Sequence, residues 1–185
     1  MAIFVTIIAI FFLSLSCKNN TKDVIDAVED RAAIPKMRVT DITTVVSDSG
    51  ITRARVSAPI WEVYDKASPP YWEFVEGIYL ERFDTILSVE ASIHSKYAHY
   101  NERDQIWTLK GEVKATNPEG DLFETELLFW NQNKEMGVYT DSLITITETT
   151  GRVIVGRDGF ESNQSLTKYY IHDSNGDIPV EENEW

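Results

Sequence analysis

The stretch Leu87-Ser88-Val89-Glu90-Ala91-Ser92-Ile93-His94-Ser95-Lys96-Tyr97 decides the fold class. Its odd positions, Leu87, Val89, Ala91, Ile93, Ser95 and Tyr97, are mostly apolar, and Ser88, Glu90, Ser92, His94 and Lys96 between them are polar. Successive side chains of a strand point to opposite faces, so this period of two gives one greasy face and one wet one. The pattern continues toward the C-terminus. Trp107, Leu109, Gly111 and Val113 alternate with Thr108, Lys110, Glu112 and Lys114. Phe123, Thr125, Leu127 and Phe129 oppose Leu122, Glu124, Glu126, Leu128 and Trp130, where the second set loses its polarity toward its end. A bulge or two-sided burial near Leu127 accounts for that loss. Ile144 and Ile146 oppose Leu143, Thr145 and Thr147. No helix-period pattern of comparable length follows Pro35.

From about Ile42 onward, short runs rich in Val, Ile, Thr, Tyr, Phe and Trp are punctuated by turn signals: Ser47-Asp48-Ser49-Gly50, Ala67-Ser68-Pro69-Pro70, His99 to Asp104, Asn117-Pro118-Glu119-Gly120, Asn131 to Glu135, Thr149-Thr150-Gly151 and Arg157-Asp158-Gly159. Each interval is strand-sized, which predicts one all-β domain over 42–173. Residues 18–41, polar and mixed in charge, read as a tether. Residues 174–185, acidic and interrupted by Pro179, read as a disordered tail.

The first seventeen residues have a different texture. Ile3 to Leu15 is apolar, shorter than the roughly 18–20 residues of a spanning helix, and of the length of a signal-peptide core. It ends in Leu13-Ser14-Leu15-Ser16-Cys17, followed abruptly by Lys18-Asn19-Asn20. This resembles a bacterial lipobox, which makes residues 1–17 a lipoprotein signal peptide and Cys17 the lipidation site. Ser14 stands where the pattern prefers Leu, and no Lys or Arg precedes the core, so an uncleaved N-terminal anchor is the alternative. Cys17 is the only cysteine, which excludes an internal disulfide and agrees with a thiol consumed by acylation.

Thirty acidic against 17 basic residues give a formal charge of −13, with no basic cluster. Nucleic acid is excluded as a partner, since phosphate binding needs a basic face. A lipid ligand has to be held by its chains rather than by its anionic head. No catalytic constellation stands out: there is no nucleophile elbow and no phosphate-cradling Gly-rich loop. His94 and His99 fall on opposite faces of a regular strand, and His172 is distant, which makes a weak metal site. The reading is of a non-enzyme without cofactor or metal.

Several segments in series carry a resemblance: Tyr71-Trp72-Glu73-Phe74-Val75-Glu76-Gly77-Ile78-Tyr79-Leu80 with Phe83-Asp84, then Trp107-Thr108-Leu109-Lys110-Gly111-Glu112-Val113, Asn117, Gly120, Thr125, Leu128, Trp130, Tyr139-Thr140-Asp141 and Gly156-Arg157-Asp158-Gly159-Phe160. Over about Val39 to Ile171 the chain resembles the LptC family of lipopolysaccharide-export proteins, particularly its lipoprotein-type members. The resemblance implies an open, twisted antiparallel β-jellyroll, a β-clasp of two facing sheets around a greasy interior. It implies a lipid groove lined by Leu87, Val89, Ala91, Ile93, Trp107, Leu109, Val113, Phe123, Leu127, Ile144 and Ile146. It implies a lipid-anchored protein on the periplasmic side of the inner membrane, the outer membrane being the alternative. There it would accept lipopolysaccharide from an inner-membrane ABC transporter and pass it to an LptA-like protein. The transporter would face the N-terminal side, about Val39 to Ala58. The LptA-like partner would pair with the C-terminal edge, about Arg152 to Ile171, at Val153, Val155, Phe160, Tyr169 and Ile171.

Two other classes compete. A filled β-sandwich binding glycan or protein at its surface would use Trp61, Trp72, Trp107 and Trp130 as exposed platforms. An enzyme would need His94 or His99 clustered with carboxylates in one pocket.

Overall fold

The period-two runs form strands in a computed structural model that describes residues 30–172 and 174–177. The architecture here is that of the unit that begins at Ala32. Cys17, its apolar leader and the first part of the tether lie outside the described residues. The strands are β1 (Met37–Asp48), β2 (Ile51–Tyr64), β3 (Tyr71–Phe74), β4 (Ile78–Phe83) and β5 (Val89–Ser95). Then come β6 (Tyr97–Asn101), β7 (Ile106–Thr116), β8 (Leu122–Asn131), β9 (Val138–Thr140) and β10 (Ile144–Thr147). Last are β11 (Val153–Gly156), β12 (Phe160–Ser162), β13 (Tyr169–Ile171) and β14 (Ser174–Asp177). Among the described residues all fourteen belong to one antiparallel sheet.

Their registers reduce the fourteen to a simpler object. β10 meets β11 at Ile144↔Gly156 and β9 meets β12 at Thr140↔Phe160, one continuous register across a short interruption. β3 with β4 against β2, β5 with β6 against β7, and β13 with β14 against β12 and β11 likewise run end to end, with the register slipping by one residue at the interruption. Five end-to-end pairs and the four long strands β1, β2, β7 and β8 therefore make nine runs. Each run pairs with the one before it and the one after it, an up-and-down meander.

The interruptions lie in line and form a crease. Residues with left-handed backbone mark it: Asp41 (φ 52), Gly77 (φ 98), Gly111 (φ 74), Glu112 (φ 46) and Gly159 (φ 126). Gly77 is required there twice over, because a Cβ would also stand 2.8 Å from the Ser95 carbonyl oxygen. Backbone groups that lose ladder partners at the crease find others. Lys96 N–H donates to Gly111 O (2.9 Å), His172 N–H to Gly159 O (3.0 Å), and Thr125 Oγ1 to Leu143 O (2.8 Å).

Folding along the crease makes two facing layers from one sheet, as the clasp requires. One wall comprises β3, β6, β9, β12, β13 and the adjoining halves of β1, β2, β7 and β8; the other comprises β4, β5, β10, β11, β14 and the remaining halves. Phe123 of the second wall meets Phe160 (5.7 Å) and Tyr169 (5.6 Å) of the first, and one hydrophobic cluster takes residues from both.

Three expectations are corrected. Ser174–Asp177, read as tail, pairs with β11 as a final strand. β1 begins at Met37, inside the predicted tether. Val153, Val155 and Phe160 are not at an edge: β14 covers β11, β13 covers β12, and Phe160 is 1% exposed. Of the named edge residues, Tyr169 and Ile171 do lie on the outermost run.

Candidate functional site: the clasp interior and its mouth

The two walls differ in chemistry. The second presents mostly aliphatic side chains, with Ala91, Ile93, Val113, Ile144 and Ile146 buried as their alternation implies and Phe123 the aromatic among them. The first presents aromatic rings in a continuous row across five strands. Trp61 lies against Trp72 (5.2 Å) and Phe74 (6.2 Å), Phe74 against Trp107 (5.7 Å), Tyr100 against Trp107 (4.7 Å), and Trp107 against Trp130 (6.5 Å). Leu109, Trp107 and Trp130 are buried.

Three expected groove residues lie elsewhere. Leu87 and Val89 are 60% and 48% exposed. The Asp84 carboxylate accepts the amides of Ile86 and Ser88 (both 2.9 Å), which turns the chain before Val89 and puts Leu87 at φ 66 in the turn. Leu127 faces outward and its neighbour Leu128 faces in. The crease places Gly111 and Glu112 opposite the single residue Glu126, so the parity of β8 reverses there while that of β7 does not. The same reversal puts His94 and His99 both outside, one on each wall. Among the described residues no group of three or more His, Cys, Asp or Glu is placed to hold a metal.

The interior also contains residues that the alternation argument did not reach, notably Phe74, Ile78, Leu80, Leu128, Trp130 and Leu166. The run Tyr71 to Leu80 held the needed signal, with Phe74, Ile78 and Leu80 at even positions. Leu166 had none, being one apolar residue in a polar loop.

The strand ends remote from the crease form two lips. Between them lies a cavity of about 620 Å³, walled by Trp130, Gln132 and Gln164 on one side and by Val46, Ala54, Arg82, Phe83 and Glu90 on the other. That volume is within the range of small-ligand sites. Arg82 is ion-paired with Glu90 (3.2 Å), and Arg53, Asp48 and Asp84 also line the mouth. Two indole N–H groups, Trp61 Nε1 and Trp107 Nε1, are buried on either side of Phe74 without a hydrogen-bond partner among the described residues. Buried donors are nearly always satisfied, so these mark the aromatic wall as a place able to take an acceptor atom.

The outer face of the first wall is polar and self-compensated. Glu62 accepts from Arg38 (2.8 Å) and Tyr64 (2.9 Å), and Glu73 from Tyr97 (2.6 Å). Burial, then the bond to Glu62, pushes the Tyr64 phenol up to about 12; burial and Glu73 raise Tyr97 likewise. Tyr71 stacks between Tyr64 (4.5 Å) and His99 (4.9 Å), and burial lowers His99 below the usual histidine range.

Among the described residues both ends of the meander are open: β1 pairs only with β2, leaving a twelve-residue edge, and β13 and β14 pair only with β12 and β11. No family model and no curated protein matches this chain.

Proposed function

We propose that this protein is an envelope lipid carrier of the LptC type, accepting lipopolysaccharide from an inner-membrane ABC transporter and passing it to an LptA-like protein. The observation that carries the reading is the creased meander: one apolar interior between an aromatic and an aliphatic wall, with an unpaired strand edge at each end. Burying a methylene is worth about 0.8 kcal/mol, so acyl chains entering at the mouth are held by apolar contact while the phosphorylated head stays in water. A net charge of −13 is compatible with that division of labour. Open edges ordinarily recruit other strands, and a related β-clasp adding to β1 or β13–β14 would extend the interior from one protein to the next. Acylated Cys17 would hold the protein to the periplasmic face of the inner membrane. The ATPase of the transporter would supply the energy.

The test is photocrosslinking in cells from inward Leu109 and Trp130 and from outward Ser92 and Lys110. Lipopolysaccharide adducts are expected from the inward pair only. Equal adducts from both pairs, or none from the inward pair, would sink the proposal. The competing glycan-binding sandwich draws on the dense packing of the interior, but the tryptophans it needs at the surface are turned inward, with Trp107 and Trp130 buried.

A further inference from the structure

We propose that the loop Asn163–Lys168, between β12 and β13, is a latch that closes the clasp and swings out as a unit to admit an acyl chain in place of Leu166. The proposal rests on the lipid reading of the interior, but its geometry stands apart from it.

The loop starts from one lip and is tied to both. On its own side Gln164 Nε2 donates to Asn131 O (2.9 Å) and Lys134 O (2.6 Å), and Trp130 Nε1 donates to Gln164 Oε1. Across the mouth, Ser165 Oγ donates to Glu90 Oε1 (2.9 Å), and Asn117 Nδ2 donates to Leu166 O (3.3 Å). Between these ties Leu166 enters the core, 2% exposed. An apolar side chain thus occupies the interior two residues along the chain from Gln164, which helps to wall the cavity.

Three features make the plug displaceable. The loop satisfies its own backbone: Asn163 N–H donates to Lys168 O (3.0 Å) and Leu166 N–H to Asn163 O (3.2 Å), while Asn163 Oδ1 accepts from the amides of Thr167 (3.0 Å) and Lys168 (3.2 Å). Moving it as a body therefore strands few polar groups; of the backbone groups tied across the mouth, only Leu166 O loses a partner. Leu166 is held at φ 60, a conformation that a side chain of its type adopts at a cost. Finally, the ties are side-chain hydrogen bonds, each shifting an opening equilibrium by only about five-fold. An acyl chain replacing Leu166 restores the apolar contact that the swing removes.

The test uses the full chain in three forms: unaltered, Leu166→Gly, which deletes the plug while suiting the left-handed backbone, and Gln164→Ala/Ser165→Ala, which cuts ties and keeps the plug. Two readouts are iodoacetamide alkylation at residue 166, mapped by peptide, with Leu166→Cys placed in the unaltered and the Gln164→Ala/Ser165→Ala chains, and uptake of the apolar dye N-phenylnaphthylamine. A thiol at residue 166 is shielded while the latch is closed and exposed when it swings, whereas the loop's own amide bonds move with it. In the otherwise unaltered chain alkylation should be faster than global unfolding allows. The double change should speed it at least ten-fold and raise dye uptake; Leu166→Gly should raise uptake further. If residue 166 is alkylated only at the rate of global unfolding in both chains, or uptake is equal in all folded forms, the latch is a fixed part of the core and the proposal fails. Lipopolysaccharide crosslinking from Leu109 in the same variants tests the underlying reading separately. Faster alkylation and greater uptake without any lipid adduct keep the latch and remove the lipid.

Discussion

Gly77→Ala tests whether the crease is imposed by the backbone at that point. Gly77 has φ +98, and a Cβ built there lies 2.8 Å from Ser95 O, a strand carbonyl and not a flexible side-chain tip. The left-handed backbone alone costs an alanine about 1–2 kcal/mol. Displacing the neighbouring strand to relieve the contact adds on the order of 1 kcal/mol or more. The expected loss is roughly 2–3 kcal/mol, which lowers the melting temperature of a domain this size by about 5–10 °C. Gly50→Ala is the control: Gly50 also has positive φ, +80, in the turn between β1 and β2, but a Cβ there meets nothing within 4 Å. Thermal and urea melts of the two variants should therefore differ by the steric part, with Gly77→Ala the less stable. Equal destabilisation would show that the close approach at the crease relaxes freely, and refute the argument that Gly77 sets the fold line.

Other perturbations follow from the same structure. Cys17→Ala should abolish metabolic labelling by a clickable fatty acid; retained labelling refutes lipidation at that residue. Ile93→Asp should block lipid crosslinking and Ser92→Asp should not, compared only among variants with a cooperative melt, because an unpaired carboxylate in the interior costs several kcal/mol; equal crosslinking argues for a permanently filled core. Hydrogen bonds of Asn163 N–H to Lys168 O and His172 N–H to Gly159 O place alternate amides of β13 toward β12, so the Ile171 N–H faces the open edge. Ile171→Pro should therefore abolish capture of an LptA-like protein with little change in melting, whereas Tyr170→Pro should destabilise the domain; unimpaired capture by folded Ile171→Pro removes this edge as the joint. Burial lowers the His99 pKa, so the neutral form is favoured by folding: the stability this gives is present above the unfolded pKa of about 6.5 and is lost as pH falls below it toward the folded value. His99→Gln should flatten the fall in urea midpoint between pH 7.5 and 5, and an unchanged slope refutes the assignment.

The class of the fold and much of the interior could be read from the chain because burial on one face imprints a period of two. Ile93, Leu109, Val113, Phe123 and Ile146 declare themselves that way. The crease could not be read, because a left-handed residue or a two-residue bulge inside a strand resembles the end of that strand. Arg157-Asp158-Gly159 reads as a turn between strands, yet it joins β11 to β12 within one run. Every parity error follows from that. An unbroken count across the reversal puts Leu127 inside instead of Leu128 and splits His94 and His99 between faces. β14 is polar, and its place is set by backbone pairing with β11, which composition does not report. Leu166 lies in the core through loop geometry alone.

The meander has a consequence for how the molecule is made. Each run finds its partner in the run just before it, so the contacts that build the sheet are short in sequence and close cheaply in loop entropy. As the chain emerges from its N-terminal end during synthesis, the sheet can grow by one run at a time, each presenting an unpaired edge to the next. β13–β14 is the last run among the described residues; to an arriving strand, its edge offers the same unpaired groups that every earlier run offered its successor. Growth of the domain and strand addition by a neighbour would then be one and the same process.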